Sequence, residues 1–174
     1  MKKIIYLPLL ALLLTGCLGD EPQNEYADWK TQNDAYIQNL ESEVSEGKSE
    51  YTRISADWAP QNSVFVKWHN DRSQTAGNLS PLSNSTVAIT YALEDMYGDE
   101  LGDSFSATDS IYSSRPNQNI AGMWIAMLNM HVGDSVTMVI PYLSGYGARQ
   151  VGTIKPYSNL IYHVKMKAVT KYEY

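Results

Sequence analysis

Few side chains in this 174-residue sequence are spaced for covalent or metal chemistry. His69, His131 and His163 fall in separate segments with no paired spacing, so solvated or singly bonded imidazoles are expected rather than a metal site. Asp95, Asp99, Glu100 and Asp103 gather around Gly98 and Gly102 without the ligand spacing of a calcium loop, and read as an acidic hairpin turn. Ser144-Gly145 lacks the Gly-x-Ser-x-Gly elbow of a serine hydrolase, and no glycine-rich phosphate cradle precedes a helix. Neither metal nor cofactor is expected. What stands out is aromatic content: 13 Tyr and 4 Trp against 2 Phe. Tyr142, Tyr146 and Tyr157 sit near loop glycines. Rings so placed either line a concave site for an apolar or planar ligand or serve as core and rim packing.

The composition bounds the fold that must hold such rings. At 44% hydrophobic and 18% charged residues the chain is too apolar for disorder, and its length fits one domain with an appendage. With 13 basic residues against 19 acidic ones, the net charge of −6 argues against a nucleic-acid partner, which needs clustered Lys and Arg. A single cysteine excludes an intramolecular disulfide and a cysteine-based zinc site.

That cysteine has another use. Lys2 and Lys3 precede the apolar run from Ile4 to Leu14, which is too short for the roughly 20 residues of a membrane-spanning helix. Thr15-Gly16 supplies a small-residue cleavage site, so residues 1–16 read as a secretory signal. Cys17 directly after it resembles the lipobox of bacterial lipoproteins, in which this cysteine carries the lipid and anchors the chain. The anchor implies a bacterial envelope membrane, with the outer membrane expected and its periplasmic or surface side left open. Cleavage leaves 11 basic and 19 acidic residues, a net charge of −8. Residues 17–24 then read as a lipidated tether.

Further along, Tyr26, Trp29, Tyr36, Ile37, Leu40 and Val44 fall on one helical stripe, with Asp, Lys, Gln, Asn and Glu on the other side. This defines a helical extension over 25–54. Its stripe is short for a coiled coil, so packing on the following domain is favoured over dimerisation, and the oligomeric state stays open. From Ser63 strand patterns dominate. Thr86 to Leu93 alternates with Val87, Ile89, Tyr91 and Leu93 on one side; Val136, Met138 and Ile140 alternate into Pro141; Leu160, Tyr162, Val164 and Met166 form a last strand with His163, Lys165 and Lys167 on its wet face. Ile120 to Met130 has helical spacing. The expectation for 55–174 is an α+β domain, an antiparallel sheet with one short helix across it.

Five segments follow one another in a telling order. They are Val87-Ala88-Ile89-Thr90-Tyr91, Gly102-Asp103-Ser104-Phe105-Ser106, and Ile120-Ala121-Gly122-Met123-Trp124 with its exit at Met130-His131-Val132-Gly133. The fourth is Ile140-Pro141-Tyr142-Leu143-Ser144-Gly145-Tyr146-Gly147, and the fifth is Ile154-Lys155-Pro156 with Leu160-Ile161-Tyr162-His163-Val164. Taken in this order they resemble the FKBP family of peptidyl-prolyl isomerases. The resemblance implies a half-wrapped antiparallel sheet around a short helix, with a shallow apolar pocket between them. Carried over by position, it implies a pocket of Tyr91, Phe105, Ile120, Met123 and Tyr162 with Tyr146 at the lip. Ile154 and Ser106 would touch substrate, and the loop from Ala107 to Asn119 would complete a wall.

The implied chemistry is rotation about an X-Pro amide, whose barrier is about 18–20 kcal/mol because twisting breaks resonance. A dry pocket destabilises the planar amide, with its larger charge separation, relative to the twisted one. In the family a backbone N–H at the position of Ile120 and a hydroxyl at that of Tyr146 hold carbonyl groups. Two departures bear on rate: Met123 stands where the family has a floor Trp, with Trp124 turned away by about 100°, and Ser106 stands where it has Asp. Both imply a weak isomerase without tight macrolide binding. Three functions stay open: isomerisation of proline-containing exported polypeptides, binding of such segments without turnover, and glycan binding through exposed Tyr and Trp.

Overall fold

The computed structural model describes residues 25–173. The signal, Cys17 and the tether expected at 1–24 lie outside the described residues. An N-terminal helix, α1 (Ala27–Ser45), leads into seven strands and a second helix. The strands are β1 (Thr52–Ala56), β2 (Ala59–Trp68), β3 (Thr86–Glu94), β4 (Glu100–Asp103), β5 (Tyr112–Ser114), β6 (Ser135–Ile140) and β7 (Leu160–Lys171); α2 (Ala121–Leu128) lies between β5 and β6. They form one sheet in the order β1-β2-β6-β7-β3-β4, with β5 also on β3, and every pairing is antiparallel. This is the α+β architecture that the alternating segments imply.

The inner face of the sheet carries Val64, Val66, Ile89, Met138, Ile140 and Leu160, all fully buried with α2. Helix α2 is almost entirely apolar because it lies between this face and the loops around it. Gly122 makes the approach possible: a Cβ there would collide with Cγ2 of Ile140. On the outer face, Phe65 and Val139 are fully buried under Leu40, with Tyr36, Ile37 and Val44 around them. The α1 stripe therefore packs in cis. It also explains the unbroken run Val64-Phe65-Val66, since a strand covered on both faces has no polar alternation.

Three expectations need correction. Strand β1 begins at Thr52, inside the stretch read as extension; its residues are mostly exposed, so no apolar period announced it. Strand β4 lies within the segment read as turn alone, with a single apolar residue, Leu101, at a register shift. Asn33, read as part of the wet side of α1, has no exposed surface and bonds to Asn159. The acidic turn holds as expected: Asp95 accepts the backbone N–H groups of Tyr97 (2.8 Å) and Asp99 (3.0 Å).

Asp134, at the turn into β6, is a buried carboxylate. Burial would raise its pKa, but donors from Thr75, the His131 backbone and Asn70, with the Arg72 guanidinium 3.6 Å away, hold it below the usual carboxylate range. The stabilisation is present above the ordinary value of 3.8 and is lost as pH falls through the lower folded-state value. Asp134→Asn is expected to lose about 2–3 kcal/mol of stability at pH 7. Denaturation at stepped pH should show this difference shrinking below the ordinary carboxylate value.

Candidate active site

The β3–β7 register places Leu93 opposite Tyr162 and Tyr91 opposite Val164 on the inner face. The Tyr91 and Tyr162 ring centroids lie 5.7 Å apart. Strand β5 sets Tyr112 opposite Ile89, where its ring meets Tyr91 edge-on at 5.6 Å. Helix α2 begins at this end of the sheet. Ile120 caps it in extended conformation (φ −58°, ψ 152°), with no side-chain hydrogen bond as cap. The helical ladder starts with Trp124 N–H donating to Ile120 O at 3.0 Å, so the N–H groups of the first turn have no partner within the helix.

These elements enclose a cavity of about 220 Å³ lined by Ile89, Tyr91, Tyr112, Gln118, Asn119, Ile120, Met123, Tyr146 and Tyr162. It is smaller than the roughly 300–1,000 Å³ of pockets for drug-sized ligands. Burial first, and then the neighbouring Tyr146, Tyr91 and Tyr112, push the Tyr162 hydroxyl far above the usual phenol range. Tyr91 is raised too, by burial first and then by Tyr112, Asp103 and Tyr146. The hydroxyls are therefore neutral donors across the physiological range.

Of the residues expected at the site, Tyr91, Ile120, Met123, Tyr146 and Tyr162 line this cavity. Met123 is buried, while Trp124 faces outward against Trp58 (ring centroids 4.0 Å) with its indole N–H on Ser83 Oγ at 3.3 Å. Ile154 is buried in the adjoining core and does not line the cavity. Phe105 is corrected outright: 59% of its surface is exposed and it lies outside the cavity. Leu101 is instead the residue of that segment that packs on the core. Ser106 is corrected with it. Its N–H (2.7 Å) and hydroxyl (3.1 Å) donate to Asp103, which pairs across from Ala92 and does not line the cavity.

Tyr112, Gln118 and Asn119, which also line the cavity, belong to the loop from Ala107 to Asn119 that the resemblance expects as a wall, without any one of them being committed to as a site residue. Their loop has no sustained period, and the only local signal was Pro116 ahead of the helix. The structure sets Asn119 firmly, its amide donating to Ser114 Oγ (3.0 Å) and Arg115 O (2.7 Å). His69 and His163, read as separate, both meet Thr137 Oγ1, at 2.7 and 3.0 Å. Among the described residues no group of three or more His, Cys, Asp or Glu side chains is placed to hold a metal.

The family model for FKBP-type peptidyl-prolyl cis-trans isomerase matches residues 77–167, a little over half of the 174 residues. The chain belongs to this family. Among solved structures it is similar to FkpA from Escherichia coli, with a TM-score of 0.67 and 18% identity over 84% of this chain and 63% of that one. It is also similar to a peptidyl-prolyl cis-trans isomerase from Pseudomonas syringae pv. tomato DC3000, with a TM-score of 0.60 and 20% identity over 80% of this chain and 96% of that one. The three FKBP domains of wheat FKBP73 give a TM-score of 0.56 and 19% identity over 68% of this chain and 49% of that one. At these identities the likeness is one of fold. The chain spans less than two thirds of the FkpA chain that it matches. No curated protein sequence matches it significantly.

Spectrophotometric tyrosine titration tests the hydroxyl environment of this FKBP domain. Tyr162 is expected to stay protonated past the point where exposed tyrosines ionise, and Tyr162→Phe should remove that late component alone.

Proposed function

We propose that this FKBP domain catalyses cis-trans isomerisation of X-Pro bonds in exported polypeptides, with low turnover. The convergence of Tyr91, Ile120, Met123, Tyr146 and Tyr162 on one cavity is the observation that supports this. A cavity of about 220 Å³ suits one pyrrolidine ring with its flanking amide better than a macrolide. Inside it the planar amide loses hydration that the less polar twisted amide needs less. The Ile120 N–H at the mouth and the Tyr146 hydroxyl at the lip hold carbonyl groups on either side of the bond that turns. Each 1.4 kcal/mol of preference for the twisted state is worth about tenfold in rate.

The floor limits that preference. Met123 fills it with a flexible thioether, which fixes the proline ring less firmly than a rigid indole would. The same feature favours a second reading, binding of proline-containing segments without turnover. A refolding reaction limited by proline isomerisation, run with the soluble chain lacking residues 1–17, separates the two. Acceleration is expected, reduced about tenfold by Tyr146→Phe and changed less than about twofold by Phe105→Ala, whose ring lies outside the cavity. Peptide-induced NMR shifts at Tyr91 and Ile120 without acceleration would instead establish the binding-only reading.

We further propose that lipidated Cys17 tethers the domain to a bacterial envelope membrane, near clients emerging from export. The signal and lipobox pattern of residues 1–17 supports this. Cys17→Ala should shift the protein from the membrane to the soluble fraction and abolish labelling by a fatty-acid tracer. Unchanged membrane association would refute the anchor.

A further inference from the structure

Helix α1 does more than cover the outer face. Its N-terminal half reaches the loop segment that carries the lip of the cavity, through two asparagines 126 positions apart. Asn33 and Asn159 both have no exposed surface. Asn159 N–H donates to Asn33 Oδ1 (2.8 Å), and Asn159 Nδ2 donates to the Asn33 carbonyl (2.7 Å). Asn33 Nδ2 completes its own valence on the Trp29 carbonyl at 2.9 Å.

The chain of bonds continues toward the site. Asn159 Oδ1 accepts the Tyr142 N–H at 3.0 Å. The Tyr142 carbonyl in turn accepts the N–H groups of Gly145 (3.0 Å) and Gly147 (2.9 Å), the two residues that bracket Tyr146. Gly147 O then accepts the N–H of Tyr157, a non-glycine residue held at φ +63°. Neighbouring contacts point the same way. Trp29 donates from its indole to Ser158 Oγ (3.1 Å) and lies under Lys155 Nζ (4.5 Å), and Lys30 Nζ sits 5.6 and 5.8 Å from the Tyr142 and Tyr157 rings.

We infer that Asn33 is a positioning residue for the isomerase site: through Asn159 and Tyr142, α1 fixes the loop that presents the Tyr146 hydroxyl. The inference rests on the isomerase reading for its consequence in rate, but the bracing itself is independent of it. A buried amide pair is suited to this role because its partners are directional. Neither asparagine can shift without leaving a donor or an acceptor unpaired in a dry environment, whereas an apolar contact would tolerate sliding.

Asn33→Ala removes the acceptor for Asn159 N–H. Two measurements on the soluble chain read the effect. Amide hydrogen exchange at Gly145 and Gly147 should quicken about tenfold while exchange in the β3–β7 core stays unchanged. The rate constant for cis-trans exchange of a bound Ala-Pro peptide should fall, with its affinity changed less. Asn33→Asp keeps the acceptor and, when protonated, also the donor to Trp29 O, so it should restore loop protection more fully at pH 5 than at pH 8. Trp29→Phe, a milder change that keeps an aromatic ring beneath Lys155 but removes the donor to Ser158 Oγ, should loosen the same two amides to a smaller extent.

Unchanged exchange at Gly145 and Gly147 in both Asn33→Ala and Trp29→Phe would overturn the inference. Loosened amides with an unaltered peptide exchange rate would overturn the positioning role. If the unsubstituted chain turns over no peptide, the isomerase reading fails; the exchange arm still decides whether α1 braces the lip.

Discussion

The cavity owes its existence to a mismatch of lengths. Helix α2 has eight residues and so runs for about 12 Å, whereas β7 has twelve and runs for about 40 Å. A helix this short cannot cover the whole inner face of the sheet on which it lies. Gly122 fixes where the cover falls by letting the first turn approach Ile140, so the uncovered remainder opens beside that turn. Everything at the site follows from this. The cavity lies between the start of α2 and the β3–β7 pair, and its walls come from whatever side chains border the gap.

Those side chains are tyrosines rather than phenylalanines for a reason that the position explains. A half-covered gap is dry at its floor and wet at its mouth. A phenol provides apolar area for the first and a hydroxyl for the second, where an apolar ring alone would expose surface and a buried unpaired hydroxyl would cost about 1–3 kcal/mol. Tyr91, Tyr112, Tyr146 and Tyr162 meet that condition together at the cavity, the Tyr91 ring in contact with those of Tyr112 and Tyr162. The same reasoning separates Met123, fully inside, from Trp124, which turns outward onto Trp58. The proposed lowering of an X-Pro barrier needs no nucleophile, so a site for it would leave no trace among the usual chemical motifs; its signature would be shape and dryness.

Both faces of the middle strands are covered, and this changes what α1 is. An appended helix could have been a separate module. Here its apolar stripe seals Phe65 and Val139, while its opposite end is bonded to the segment between β6 and β7. The helix thus forms a second buried cluster with the outer face of the sheet and shares buried polar bonds with the domain, and β1 follows it directly into that sheet.

The sequence alone determined the elements with sustained periods: the α1 stripe, the alternation of β3 and β7, and the apolar run of α2. From the family's pattern it also placed five of the cavity's residues: Tyr91 on β3, Tyr162 on β7, Ile120 and Met123 at the start of α2, and Tyr146 in the loop that follows Pro141. The tertiary structure decided the rest. Phe105 falls outside because β4 ends at Asp103 and the chain turns there, with Asp103 accepting the Ser106 N–H and Ser104 O accepting the Ala107 N–H, so its ring lies beyond the strand. Which residues of the loop from Ala107 to Asn119 form the wall is likewise tertiary: Tyr112 is set by β5 pairing with β3, and Gln118 and Asn119 by the turn that leads into α2. Asn33 is buried because Asn159 lies opposite it. A polar residue on a helix reads as wet until its partner is known, and no local pattern spans the 126 positions between these two.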